Sequence, residues 1–269
     1  MDDSLAKEKP EVRLRAFRAI DEPETCELFI QGHTRVLTSI GITKVTSSKN
    51  EWTKNPAAFV MIVESLDGEK VYGGARVHVS GGSEPLPIEQ ATGAMDPGIF
   101  DLVWGFAQHG TGEVCGLWNS REIAGYGIGS IFLIRTAIAI SEQIGVQSLF
   151  ALCAPYTIQP AEAVGMEIDK TVGNDGTFYY PKLDLLATIL ILRDVTTLSK
   201  ANEEDRKAIM RLRENLNITR VETLRRKEIT IHYEIQIPNL DQWDLKETIA
   251  HAEKSFSKSK INESDPEII

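Results

Sequence analysis

The chain has 269 residues, of which 42% are hydrophobic and 25% are charged, a composition typical of a soluble globular protein with a sizeable core. Its formal net charge of −10 disfavours general binding to nucleic acid or to anionic membrane surfaces. The cysteines Cys26, Cys115 and Cys153 are too widely spaced for a disulfide framework or a compact metal site. There is no secretory signal and no apolar run of roughly 20 residues, so we expect a cytoplasmic protein without a membrane span.

The first half of the chain predicts a helix and a strand hairpin. Asp21 is a plausible N-cap of the helix, and Pro23 suits the first helical turn. Asp67-Gly68 is a strong turn signal between two apolar runs. In chain order we expect a strand over residues 12–20, a helix over 21–41, strands over 58–66 and 70–80, and a short helix near 99–106.

The second half predicts strands on both sides of one long helix. Residues 128–144 are apolar nearly all round and stop at Gly145, which indicates a buried helix with a glycine after its C-cap. Around it we expect strands over 113–119 and 147–154, a short helix ending near 165, and strands near 168–172, 178–179 and 186–193. This order predicts an α/β (α+β) fold with a mixed sheet and at least one crossover unit.

The character of the sequence changes after residue 193. Residues 201–216 form a charge-rich amphipathic pattern typical of a helix, and residues 228–237 alternate as a strand with one apolar face. Such a strand needs a partner sheet, and its exposed alternation hints at a homodimer contact. We therefore expect a core domain at 12–193, a helix-plus-strand extension at 194–256 and a disordered tail at 257–269.

Three alternating glycines, Gly125, Gly127 and Gly129, lie between a predicted strand and the buried helix. Glycine allows a ligand to approach the backbone closely, and a helix N-terminus offers free N–H groups with a partial positive charge. Such a turn suits a pyrophosphate, although it can also be only a tight turn. A dinucleotide fingerprint fits poorly, because the spacing is Gly-x-Gly-x-Gly and strand 147–154 contains no acidic residue.

The run Gly125-Tyr-Gly-Ile-Gly-Ser, followed by Gln143-Ile-Gly-Val, a strand from Ser148 and Gly165-Met-Glu, resembles the core motif of the GNAT N-acyltransferases. The order of elements over 12–193 is similar as well. The resemblance implies a mostly antiparallel central sheet flanked by helices, acyl-CoA or acetyl-CoA as donor, and no metal. It assigns the donor to the loop and to the end of the preceding strand, namely Leu117, Trp118, Asn119, Ala124, Gly125, Tyr126, Gly127, Ile128, Gly129 and Ser130.

A second resemblance comes from residues 71–79, Val-Tyr-Gly-Gly-Ala-Arg-Val-His-Val, and the Leu-Pro segment at 85–89. Both are similar to the N-acyl amino acid synthases and acyl-homoserine-lactone synthases. Those families carry an acidic residue three places before a Ser-Arg pair, and here Trp118 stands before Ser120-Arg121. The pattern implies a relative that transfers long acyl groups, and the departure argues against a homoserine lactone as product.

The motif also departs from the superfamily at two positions. Ala124 stands where Gln or Arg commonly precedes the first glycine, and Ala161 replaces the tyrosine that commonly serves as general acid to the thiolate. Tyr156 lies on the same segment and is our candidate for that acid. The general base is expected to be Glu113, at the start of the fourth strand, unless this carboxylate is simply solvated at an edge.

Arg76 and Arg121 are candidates for binding the substrate, either an acceptor carboxylate or a donor phosphate, with ordinary ion pairs as the alternative. His78 and His109 do not have the spacing of metal ligands, and no Ser/His/Asp arrangement supports a hydrolase. The sequence therefore predicts an N-acyltransferase that moves an acyl group from acyl-CoA, or from an acyl carrier protein, to a small amine such as an amino acid. The alternative is an inactive GNAT-fold module that binds acyl-CoA or a protein partner.

Overall fold

The computed structural model describes residues 10–42 and 50–264. These ranges contain the strands Glu11–Arg18 (β1), Ala58–Glu64 (β2), Val71–Val79 (β3), Thr111–Asn119 (β4), Ser148–Cys153 (β5), Glu167–Ile168 (β6), Thr177–Tyr179 (β7), Leu186–Leu192 (β8), Asn217–Leu224 (β9) and Lys227–Glu234 (β10). Their α-helices are Pro23–Ser39 (α1), Pro87–Thr92 (α2), Gly98–Ala107 (α3), Leu133–Gln143 (α4), Pro155–Ala163 (α5), Glu203–Glu214 (α6) and Leu245–Ser264 (α7).

All these strands belong to one sheet, in the order β6-β8-β5-β4-β3-β2-β1-β10-β9, with β7 paired to β8 beside β6. Two neighbouring pairs are parallel, β4 with β5 and β1 with β10, and the other pairs are antiparallel. Helix α4 crosses over between β4 and β5, because parallel strands cannot be joined by a tight turn. The predicted mixed, mostly antiparallel sheet flanked by helices is confirmed.

Helix α4 is buried against one face of the sheet. Residues 133–141 are all buried, which explains why the segment is apolar nearly all round. Side chains of the central strands, such as Leu14, Met61 and Val77, join the same core. Helix α1 covers the other face, where Phe29 and Trp52 pack together. With its flanks fixed in this way, the N-terminus of α4 is held at a defined place beside the end of β4.

The C-terminal extension completes the sheet. Strand β10 pairs in parallel with β1, from Glu11 opposite Thr230 to Arg15 opposite Glu234. The alternating face predicted for this strand is buried in the chain's own core, at Ile229, Ile231, Tyr233, Ile235 and Ile237. That burial accounts for the alternation within one chain, and the homodimer stays a prediction.

Helix α6 is attached to α4 by a buried ion pair. Nε of Arg135 donates to Oδ1 of Asp205 at 2.6 Å, and both side chains are almost fully buried. The guanidinium of Arg213 donates to the carbonyl oxygens of Ile138 and Val195. Residues 12–193 and the extension therefore share one sheet and one core, and their division into separate domains stays a prediction.

Some predicted elements are wrong. Asp21 lies in a 3-10 turn rather than at the helix N-cap, and Glu22 precedes α1 without a side-chain capping bond. The strand predicted near 168–172 shrinks to β6, because the carboxylate of Asp169 accepts the Thr171 N–H and folds the chain into a turn. Helix α2 and strand β9 were not predicted. The disordered tail was expected from residue 257, but α7 continues to Ser264, and residues 265–269 lie outside the described residues.

Candidate functional site

Strands β4 and β5 separate after a short parallel contact. They pair only where Thr111–Glu113 lies opposite Ser148–Phe150. Farther along β4, Gly116 adopts a positive φ of 60°, and the register with β3 shifts between Gly74 and Arg76. A bulge of this kind bends a strand away from regular pairing. The result is a gap in the middle of the sheet, on the same side as the N-terminus of α4.

A cavity of about 680 Å³ occupies this gap. Its walls come from α1, from both separated strands, from α4 and α5, and from the segment between β7 and β8. Most of the lining is apolar, with members such as Leu37, Ile40, Ile134, Ile138, Leu149, Leu152 and Met166. A pocket of this size and character suits a ligand with an extended apolar part. Leu117, Trp118 and Asn119, the predicted strand segment, also line it.

Glu113 lies in the wall of this cavity and is only 2% exposed. Its Oε2 accepts a hydrogen bond from the backbone N–H of Ile88 at 2.6 Å. Burial raises the pKa of its carboxyl to about 8, and the nearby Glu89 adds to the rise. The solvated-edge alternative for Glu113 is wrong, since the register of β4 turns the side chain inward. A carboxyl with this pKa can exchange a proton near neutral pH.

Arg76 is fully buried beneath the bulge. Its guanidinium carbon lies 4.1 Å from the ring centroid of Trp52 and 5.5 Å from that of Phe29. A Cβ atom at Gly116 would lie 3.0 Å from two guanidinium nitrogens, so glycine makes room for the cation there. Arg76 therefore does not lie at the surface, and the ion pair considered for it remains open. Its burial in an aromatic layer does not test whether it binds substrate, so that role remains a prediction.

His33 is a cavity residue that the sequence analysis missed. It lies on α1, and burial together with the positive charge of Arg76 lowers the pKa of its imidazole to about 4. The same two causes lower the pKa of His78, which is also buried. Both rings are therefore neutral at physiological pH. A histidine inside an amphipathic helix carries no sequence signal of a site, so only the fold could reveal His33.

Tyr156 lies at the rim of the cavity, on the first turn of α5, with 78% of the side chain exposed. Ala161, where the superfamily commonly has a tyrosine, is buried in the cavity wall. Tyr180, between β7 and β8, is half-buried and also lines the cavity. Tyr180 was not predicted, because it follows a short strand and belongs to no motif.

The glycine loop meets the cavity at Gly129. Gly125 and Gly127 have φ values of 82° and 87°, a left-handed conformation that favours glycine. Gly129 has no room for a side chain, because a Cβ atom would overlap Oδ1 of Asn119 at the end of β4. The loop leads into a π-helical turn, Ile128–Phe132, which contains the backbone of Ser130 and continues into α4.

The first backbone N–H groups of this helical segment have no hydrogen-bond acceptor within the helix, as at any helix N-terminus. They carry the positive end of the helix dipole at the mouth of the gap. Ala124 and Arg121 are exposed beside the loop, Arg121 in a 3-10 turn. The fold thus brings the loop, the end of β4 and Glu113 to one cavity, and it leaves Arg121 at the surface.

Neither a protein-family model nor a curated protein sequence matches this chain. Among solved structures it is similar to FeeM, an N-acyl amino acid synthase from uncultured soil microbes, at 14% identity and a TM-score of 0.53, over 72% of this chain and 97% of that one. It is also similar to BjaI, a CoA-dependent acyl-homoserine lactone synthase solved with SAM and isopentyl-CoA, at 10% identity and a TM-score of 0.53, over 90% and 99% of the two chains. The chain has a GNAT-like fold.

At this level of identity the similarity establishes the fold, and the predicted GNAT resemblance is confirmed in that sense. No helix in residues 10–42 or 50–264 is long and apolar enough to cross a membrane. Within the same ranges no group of three His, Cys, Asp or Glu side chains is arranged to hold a metal ion.

Proposed function

We propose that this protein is an N-acyltransferase that moves an acyl group from a CoA thioester to the amino group of a small acceptor. The observation that carries the proposal is the single cavity that joins the glycine loop at Gly129 to the buried carboxyl of Glu113. Acyl transfer needs a held donor, a polarised carbonyl and a deprotonated amine, and these elements can supply all three.

The donor would bind with its pyrophosphate on the amides of the glycine loop and its thioester near the backbone of Leu117, Trp118 and Asn119. Strand β4 is unpaired on its β5 side there, so its free backbone groups can orient a pantetheine arm or a carbonyl oxygen. The apolar walls would hold an acyl chain longer than acetyl. BjaI was solved with isopentyl-CoA, whose carbon chain is longer than acetyl.

The acceptor would enter as an ammonium ion, and the ionised form of Glu113, which becomes populated as pH approaches 8, would take one proton from it, directly or through water. The amine nitrogen then forms a bond to the thioester carbon, the C–S bond breaks, the thiolate takes a proton from a general acid, and the second proton lost by the nitrogen restores that acid. Tyr156 remains our predicted general acid. Tyr180 is a second candidate, since its half-buried side chain lines the cavity. Arg76 and Arg121 remain predicted contacts to an acceptor carboxylate or donor phosphate.

The alternative is a module that binds acyl-CoA without turnover. It is favoured by Ala161, which fills the place of the usual general acid in the cavity wall. An acyl carrier protein as donor also remains a prediction. Both alternatives differ from the proposal in what they release, because only the enzyme liberates free CoA thiol from acyl-CoA when an amine is present.

The test has two parts. Calorimetry with CoA, acetyl-CoA and a long-chain acyl-CoA should give micromolar binding that Gly127→Asp abolishes. The new carboxylate would repel the phosphates at the glycine loop, and the positive φ of residue 127 would be strained in a residue with a side chain. Thiol release from the long-chain donor with a panel of amino acids should then fall about 100-fold in Glu113→Gln at unchanged donor affinity. Binding without thiol release would support the inactive module, and no binding at all would contradict a CoA donor.

A further inference from the structure

The turn of the β9–β10 hairpin lies against the glycine loop. Nζ of Lys227 is 3.4 Å from the carbonyl oxygen of Ala124 and 4.8 Å from the ring centroid of Tyr126. A Cβ atom at Gly125 would lie 3.1 Å from the same Nζ, and one at Gly127 would lie 3.0 Å from a methyl group of Leu224. The end of the C-terminal hairpin therefore touches the loop from Ala124 to Gly127.

This turn is basic and conformationally strained. Arg225 and Arg226 have φ values of 49° and 70°, the left-handed region where hairpin turns normally place Gly, Asn or Asp. Lys227 follows directly, so three consecutive cations are exposed in a chain whose formal net charge is −10. Lys227 contacts a carbonyl oxygen and an aromatic ring, and neither of these groups carries a negative charge. A cation cluster at this position points to an anionic ligand.

The geometry points to the hairpin turn as a phosphate-binding element of the donor site, with Lys227 as its central residue and Arg225 and Arg226 beside it. The inference rests on the proposed function, because a CoA donor carries both a pyrophosphate and a 3′-phosphate. The glycine loop offers neutral amides, and the hairpin adds full positive charges on the outer side of the same loop. The extension then acts as a second wall of the donor site as well as the closing strands of the sheet.

Lys227→Gln and the triple variant Arg225→Gln/Arg226→Gln/Lys227→Gln test the inference, with Lys170→Gln as the matched control. Lys170 is also exposed, but it follows β6 at the opposite edge of the sheet. Calorimetry with CoA should show about a tenfold loss of affinity for Lys227→Gln, a larger loss for the triple variant and none for the control. Both losses should shrink as salt is raised, since screening weakens the contact in the wild type.

Titration with dephospho-CoA separates the two kinds of phosphate. A loss for Lys227→Gln with CoA alone assigns the cations to the 3′-phosphate, and an equal loss with both ligands assigns them to the pyrophosphate; either result supports the inference.

If wild type binds CoA and the hairpin variants bind it within twofold, the inference is wrong while the proposed function stands. If the variants lose only the affinity for an acyl carrier protein, the hairpin binds that protein and the inference is also wrong. If wild type does not bind CoA, both proposals fail. Unchanged far-UV circular dichroism would exclude misfolding of these surface variants.

Discussion

The sheet contains two parallel strand pairs that differ in how far they stay together. Strands β1 and β10 pair over five consecutive residues, and the apolar face of β10 is wholly buried. Strands β4 and β5 pair over three residues and then separate at a bulge with a left-handed Gly116. In the first pair, β10 buries the isoleucines Ile229 and Ile231, whereas in the second pair β4 carries the buried carboxyl of Glu113. Continuous pairing thus closes the core, and interrupted pairing opens a site within the same sheet.

The largest expected effect is on the closed pair. Ile231→Ala in β10 should lower the free energy of unfolding by about 4 kcal/mol, because a fully buried isoleucine would leave a cavity in the core. Chemical denaturation measures this loss. Val221→Ala on β9, where 56% of the side chain is exposed, is the control and should change stability by less than about 0.5 kcal/mol. Equal effects at both positions would mean that the hairpin does not form part of the core.

The attachment of α6 to α4 gives the next effect. Asp205→Asn should cost about 3 kcal/mol, because it leaves the buried Arg135 guanidinium without its charged partner. Glu204→Gln is the matched control, since Glu204 meets the same arginine at 3.4 Å from an 88% exposed side chain. It should change thermal stability little. A large loss for Glu204→Gln would contradict the assignment of the buried pair as the main contact.

The open pair should be sensitive to pH through Glu113. Its pKa is raised to about 8 in the folded protein from 4.5, so the native state holds the proton longer than the unfolded state does. Stability from this group is full below pH 4.5 and is lost as pH rises through 8. Between pH 6.5 and 8 the loss from Glu113 should be about 1.6 kcal/mol. His33 and His78 stay neutral in the folded protein, but their unfolded imidazoles lose protons in this window, which offsets the loss by about 0.8 kcal/mol.

Glu113→Gln should flatten this decline, because glutamine keeps an acceptor for the Ile88 N–H without a titrating proton. Some slope should remain from Glu89, whose pKa burial raises to about 7. Denaturant midpoints measured at pH 6.5, 7.25 and 8 provide the comparison. A wild-type stability that rises over this range would contradict the buried, protonated state of Glu113.

The smallest effect concerns the bulge itself. Gly116→Ala should cost about 1.5 kcal/mol, because the residue has a φ of 60° and a Cβ atom would press on the Arg76 guanidinium. Gly105→Ala in α3 is the matched control: nothing lies within 4 Å of its Cβ position, so the change should be neutral or stabilising. If Gly116→Ala were neutral as well, the bulge would not depend on glycine.

The glycine loop and helix α4 could be predicted because their signals are local. Three glycines in a short run and an apolar segment that stops at Gly145 are visible in a single stretch of sequence. Glu113 was predicted as the base from its place at the start of the fourth strand, and that role stays a prediction. The burial of Arg76 was not predictable, because it depends on Trp52 and Phe29, two residues from distant segments.

The pairing of β10 with β1 illustrates the same limit. Alternation shows that one face of a strand must be buried, but it does not identify the neighbouring strand, and a second subunit satisfied the pattern equally well. Strand β9 was missed because its exposed face weakens the alternation that marks a strand. His33 and Tyr180 escaped notice since the cavity walls are assembled from helices and loops without a shared motif.

Strand β10 pairs with the first described strand of the chain, and this order has a consequence for biosynthesis. The ribosome makes β1 more than 200 residues before β10, because Glu11 lies opposite Thr230. Until the hairpin emerges, the nascent sheet has an open edge at β1 of the kind that invites pairing with other chains. Folding from the N-terminus therefore cannot be completed vectorially, and truncated products of this gene should be more prone to aggregate than the full chain.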